Sequence, residues 1–180
     1  MPVVALVLAL VSVASMQPAH AQTAHPGWCA PELESLSDSV CYVSPSGKSQ
    51  TLVIFLHPLV GVGSNWQWDQ QRWFARLARS LGFSVLMPRG RAGIGPGRSQ
   101  DIYAWPTSQK MQEQHEDTII AEWMQSKRVL EQRQGRFERV LVFGFSNGAY
   151  YAASLALRGR LPVDGYGVFA GGSGAMSRRL

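Results

Sequence analysis

The residues in this chain best suited to chemistry are Gly144-Phe145-Ser146-Asn147-Gly148. A serine hydroxyl stands between two glycines, behind the apolar run Val140 to Phe143 and ahead of Ala149, Tyr150, Tyr151, Ala152 and Ala153, which follow at helical spacing. G-x-S-x-G alone is a weak pattern; a strand before it and a helix after it are the setting of a nucleophile elbow. On so sharp a turn the serine backbone is strained, the glycines keep neighbouring side chains from clashing, and the hydroxyl is held at the carboxyl edge of a sheet beside the positive end of the next helix. Given a general base, Ser146 is an acyl-transfer nucleophile. The plainer alternative is a buried strand-to-helix turn with a small serine in it.

A tetrahedral intermediate needs two N–H donors. Asn147, the residue after the nucleophile, supplies one at the helix N-terminus. The other is expected from the turn after the apolar run Thr51 to Leu56, which ends in His57-Pro58. Pro58 has no N–H, so Leu59 is the natural donor, and Gly61 and Gly63 would let the loop approach a substrate closely.

The base and its acid are harder to find. After Ser146 the chain has one acid, Asp164, and no histidine. Upstream, His20 and His25 lie near the N-terminus and His57 lies at the mouth of the oxyanion turn. His115, beside Glu116 and Asp117, reads as part of a charged helix N-terminus. No His or Cys pair has zinc-site spacing, and neither glycine-rich phosphate motif occurs, so no metal and no cofactor are expected. Arg89, Arg91 or Arg98, around Gly93 to Arg98, could meet an anionic or sugar substrate, although such a loop is more often a solvated surface turn.

The elements that must position these residues follow from periodicity. Gln22 to Asp38 has none and reads as an ordered lead-in. Ser39 to Val43 alternates as a strand, Pro45 to Lys48 is a turn, and Thr51 to Leu56 is an uninterrupted apolar run, the mark of a strand buried on both faces. A helix capped by Ser64 or Asn65 should present Trp66, Trp73, Phe74, Leu77 and Leu81 and stop at Gly82. Phe83 to Met87 is a second buried strand. Arg89 to Ser108, about 20 residues without a pattern, suggests a functional loop. A second helix is expected from near Gln114 to Gln132, the elbow helix from Asn147 to Arg158, and a last strand from Gly165 to Ala170. The order, a β-hairpin and then strand, helix, strand, helix, strand, helix, strand, specifies an α/β fold: a mostly parallel sheet covered by helices on both faces, with its site at the strands' carboxyl ends.

Leu52 to Pro58, Phe83 to Pro88, Gly144 to Gly148 and Trp105 together resemble the α/β-hydrolase family. Within it they resemble secreted esterases of the polyhydroxybutyrate-depolymerase and feruloyl-esterase type. The likeness runs roughly from Val40 to Gly174; its elbow is specific to the fold, not to a substrate. It implies a Ser-Asp-His triad in that chain order, with Ser146 as nucleophile and His57 as a support of the oxyanion turn. Family members usually carry His-Gly where this chain has His57-Pro58. No residue here matches the triad acid or histidine: Asp164 should sit at the amino end of its strand, far from Ser146. The resemblance thus implies an α/β-hydrolase domain missing its last strands, with low or lost activity on small-molecule or polymer esters. It also implies a bare apolar edge at the Gly165 strand. Met176 to Leu180 has no counterpart in that family.

Composition narrows the classes. At 180 residues, 46% apolar and 16% charged, the chain suits one globular domain. Its net charge of +5 comes from scattered arginines without a basic stripe, so no nucleic-acid partner is expected. Residues 1–21 read as a signal peptide: Val3 to Val13 forms a short apolar core, and Ala19-His20-Ala21 precedes Gln22, although no Lys or Arg leads the run. That leaves 22–180 as a single domain, secreted or periplasmic, without a membrane span. In an oxidising compartment Cys29 and Cys41 are read as a structural disulfide. Two other readings compete with an esterase: a non-catalytic module gripping a polymer or carbohydrate through Trp66, Trp68 and Trp105, and a prolyl-peptidase-like enzyme.

Overall fold

The computed structural model describes residues 27–172; the expected signal peptide, the tail from Met176, His20 and His25 fall outside them. Nine strands and three α-helices occur among the described residues. A hairpin, β1 (Glu34–Ser37) and β2 (Val40–Val43), leads into β3 (Thr51–Leu56) and the short β4 (Val60–Gly61). Then follow α1 (Gln67–Leu81), β5 (Ser84–Pro88), β6 (Arg91–Ala92), β7 (Ile102–Ala104) and α2 (Gln109–Gln134). The chain closes with β8 (Arg139–Phe145), α3 (Asn147–Leu157) and β9 (Gly165–Phe169).

The main sheet has the order β1-β2-β5-β3-β8-β9. The pairs β5/β3, β3/β8 and β8/β9 are parallel, and the hairpin joins β5 antiparallel. A mixed α/β architecture with a mostly parallel core sheet is therefore present. Leu52, Ile54 and Leu56 of β3 face one core with Val140 and Val142 of β8, Trp123 and Leu130 of α2, and Tyr151 and Leu155 of α3. Val53 and Phe55 face a second core with Val85, Met87 and the α1 residues Ala75 and Ala78. An uninterrupted apolar sequence is required at β3 because both of its faces are dry.

Several expectations are corrected. The hairpin's first strand, β1, lies within the stretch read as lead-in; it is exposed and its register shifts between Ser35 and Ser37, which erases any alternation. Arg89 to Ser108 is not a structureless loop, because β6 and β7 form a second, three-stranded sheet with β4. That sheet is built from strands of two or three residues, too short to carry a period. The second helix starts one turn earlier than expected, at Gln109. The first helix is capped at Trp66 without a side-chain bond; Ser64 Oγ instead accepts the Trp66 N–H.

The first helix also turns a different face inward. Gln67, Gln71, Ala75 and Ala78 are its buried residues, whereas Trp73 is 50% and Leu81 68% exposed. Gln71 Oε1 accepts the Ala30 N–H at 2.8 Å and its Nε2 donates to Trp28 O at 3.0 Å. The alanines let the helix approach the sheet closely, and the two glutamines bond the backbone of the N-terminal segment. Hydropathy cannot register glutamines buried for their hydrogen bonds.

Cys29 and Cys41 form the disulfide, with Cα atoms 5.4 Å apart, tying that segment to β2. Among the described residues no helix is long and apolar enough to cross a membrane. Replacing both cysteines by serine frees a loop with a sequence separation of 12 and should lower the unfolding free energy by about 2–3 kcal/mol. Urea titrations of the oxidised parent and of the variant measure the difference.

Candidate active site

Two strand ends meet at the carboxyl edge of the main sheet. β3 and β8 are aligned through the pair Leu56 and Gly144, so His57-Pro58-Leu59 leaves the sheet beside Phe145-Ser146. Ser146 has φ 51° and ψ −115°, a left-side backbone that a non-glycine residue adopts only when its surroundings impose it. The chain reverses there from β8 into α3. The Ser146 N–H donates to Phe169 O at 3.0 Å, and its carbonyl accepts from Ala149 and Tyr150 at 2.9 and 3.1 Å. The serine is thus braced on one side by β9 and on the other by the first turn of α3.

Both elbow glycines are required by close approach. A Cβ on Gly144 would lie 2.2 Å from Gly148 O, and one on Gly148 would lie 2.1 Å from Leu56 O. These are backbone atoms that cannot step aside, so β8, α3 and the end of β3 pack at a separation that only hydrogen permits.

Three segments meet beside Ser146, where an oxyanion pocket is expected. Asn147 is buried, and its Oδ1 accepts the Trp105 N–H at 2.8 Å. The Trp105 indole N–H in turn donates to His57 O at 2.8 Å. Among the described residues neither the Leu59 nor the Asn147 backbone N–H bonds a backbone carbonyl outside the regular elements, and Asn147 opens α3, where N–H groups lack helical partners. Leu59 itself is exposed.

His57 is buried among aromatic rings, 4.8 Å from both Trp28 and Trp105 between ring centroids. Its Nε2 accepts the Gly90 N–H at 2.8 Å, which puts its proton on Nδ1, facing Pro58 O. Burial pushes its pKa down to about 4 against a partial offset from the Pro58 carbonyl, with Arg89 lowering it further. Both ring nitrogens are engaged and the ring stays neutral, so its position is that of a brace between two loops. His115 lies elsewhere. Its neighbour Glu116 pairs with Arg158 and Arg160 beyond the end of α3, roughly three helical turns from Ser146 at 1.5 Å per residue. Asp164 is at the amino end of β9, where its Oδ2 accepts the Val140 N–H at 2.7 Å.

The aromatic residues named as a polymer grip are dispersed. Trp105 is fully buried beneath the site, stacked on Tyr151 and set edge-on to Trp123, while Trp66 is exposed. Nothing in the sequence marked Trp105 N–H and Asn147 as partners, because their 42-residue separation closes only in the tertiary structure. Among the described residues no cluster of three or more His, Cys, Asp or Glu could hold a metal ion.

No family model matches the chain, and no curated protein does. Among solved structures, a chain described as a lipase in its open form is similar at 19% identity and a TM-score of 0.41. The likeness covers 71% of this chain but 37% of that one.

Two outcomes follow from the geometry. Gly148→Ala should cost on the order of 3 kcal/mol or more, because the new methyl meets the β3 backbone; chemical denaturation of the variant measures it. For His57, the unfolded chain binds a proton near pH 6.5, whereas the folded one resists until about 4. Its contribution is therefore complete above pH 6.5 and is lost as the pH falls toward 4. Between pH 7.5 and 5 the parent should lose about 2 kcal/mol that His57→Gln does not lose. That interval stays above the range in which Glu116 and Glu131, held low by their Arg and Lys partners against their own burial, take up protons. Urea titrations at the two pH values give both slopes.

Proposed function

We propose that this protein is an exported serine hydrolase of the carboxylesterase type. Ser146 is its nucleophile, the Leu59 and Asn147 N–H groups are its oxyanion donors, and His57 supports the oxyanion turn. The observation that carries the reading is the backbone of Ser146, φ 51° and ψ −115° between β8 and α3. Strain of this kind persists only where surrounding packing fixes it, and an elbow that lifts a hydroxyl to a sheet edge is a use for it. The uncapped start of α3 beside it favours negative charge on a reacting oxygen. An ester, small or polymeric, is the substrate class for which nucleophile and oxyanion pocket suffice as a minimal site. The Cys29–Cys41 disulfide fits an oxidising compartment, secreted or periplasmic.

No general base for Ser146 is found among the described residues. Among the described residues the histidines are His57, whose ring nitrogens are both engaged, and His115, which neighbours an ion-paired knot at the far end of α3. Without a base, acceleration is limited to what oxyanion donors and binding provide. Prolonged incubation with a fluorophosphonate should give one adduct, located at Ser146 by mass spectrometry and absent from Ser146→Ala. Turnover of a short nitrophenyl ester should be slow. An adduct elsewhere, or none at any exposure, would remove Ser146 as nucleophile. Fast turnover that is lost in Ser146→Ala yet survives His57→Ala would keep the nucleophile and reveal another base.

A further inference from the structure

A cavity of about 440 Å³ lies between the N-terminal segment and the loop that follows β4, walled by Trp28, Val62, Gly63 and Tyr103 among others. Arg89 is the one arginine among the residues that line it. Arg91 is taken by Glu122 at 2.6 Å, whereas no carboxylate among the described residues reaches Arg89 within salt-bridge distance. The Arg89 guanidinium lies 4.7 Å over the Tyr103 ring, and its Nε is buried without a hydrogen-bond partner. A buried N–H on a guanidinium is costly to leave unpaired, and the fork of donors matches a carboxylate.

The rest of the lining adds the hydroxyls of Ser35, Ser37 and Ser64, which can donate or accept, and two groups that only accept. Gln67, 3% exposed, spends its Nε2 on Trp28 O at 3.2 Å and leaves its Oε1 unpartnered. It also borders a void of about 10 Å³ with Gln70, whose Oε1 is likewise unpartnered; that space holds one water at most. The Asp38 carboxylate stands at the cavity's exposed side. One cation with a free fork, together with two acceptors, selects a ligand that carries an anion and, next to it, a hydrogen-bond donor.

We propose that this cavity binds a small carboxylate bearing a hydroxyl or ammonium group on the neighbouring carbon. Its carboxylate lies on Arg89 and its donor faces Gln67 or Asp38. The site is separate from Ser146 in its residues, but it shares a wall with the oxyanion loop. Tyr103, under the guanidinium, is paired with Val60 across β4 and β7, so an occupied cavity steadies the strand that follows Leu59.

The test is calorimetric titration of the full chain with lactate, alanine and acetate. Lactate or alanine should saturate the protein and bind at least about tenfold more tightly than acetate, with a further loss of about tenfold or more in Arg89→Met and a smaller one in Arg89→Lys. Lactate ahead of alanine assigns the donor to Gln67; alanine ahead of lactate assigns an ammonium to Asp38. Ser146→Ala should bind all three as the parent does, so this result stands or falls apart from the acyl-transfer reading. No saturation at millimolar ligand, equal binding of acetate and lactate, or binding indifferent to both Arg89 substitutions in proteins with the parent's melting profile would overturn it.

Discussion

The constraint on which the rest of the structure depends is the distance of closest approach between three backbones at the carboxyl edge of the sheet. β8 runs into α3 through Ser146; a methyl group at Gly144 would strike the first turn of α3, and one at Gly148 would strike the end of β3. That contact fixes the angle at which α3 leaves the sheet. It also sets Ser146 in its strained conformation and brings Leu56 and His57 alongside. Strain at one residue, of order 1–3 kcal/mol, is held by bonds from both directions: β9 accepts the serine's N–H and the first turn of α3 donates to its carbonyl.

Around this junction the polar groups are arranged so that buried donors find acceptors on other elements. Trp105 donates from its backbone to Asn147 and from its indole to the His57 carbonyl, and Gly90 donates to the His57 ring. Three segments far apart in sequence are thereby fixed to one another by hydrogen bonds between neutral groups. A neutral imidazole suits this role, since a protonated one would need a counter-ion where only aromatic rings and carbonyls are available. Charge is concentrated at the other end of α3, where buried Glu116 holds Arg158 and Arg160. Breaking such a pair from one side leaves a charge stranded in the interior, so that knot anchors the helix whose first residue serves the site.

The two faces of the sheet are finished unequally. Among the described residues α2 and α3 close one face, while α1 covers the other over β5 and β3 and leaves β8 and β9 uncovered. Phe143, Phe145, Phe169, Trp73 and Leu81 line an apolar groove there of about 670 Å³, and Phe169 is 55% exposed. β9 has no neighbour beyond it among the described residues. The half-buried state of Leu141 and Phe143 has the same cause.

What the sequence determined by itself was the alternation of strands with helices and, within it, the elbow. Both are encoded locally, in runs of apolar residues and in two glycines that no other residue type could replace. The disulfide was legible for the same reason, from two cysteines and an export-like leader. Tertiary structure decided what periodicity cannot express. The face α1 turns inward was set by hydrogen bonds from Gln67 and Gln71 to the N-terminal segment, against the hydropathy of Trp73 and Leu81. The segment from Arg89 to Ser108 became a small sheet because β4 offered it an edge. Trp105 went beneath the site because Asn147 and His57 offered acceptors 42 and 48 residues away. Local spacing can fix where a chain bends, but which polar groups meet once it has bent depends on distances that exist only in the folded molecule.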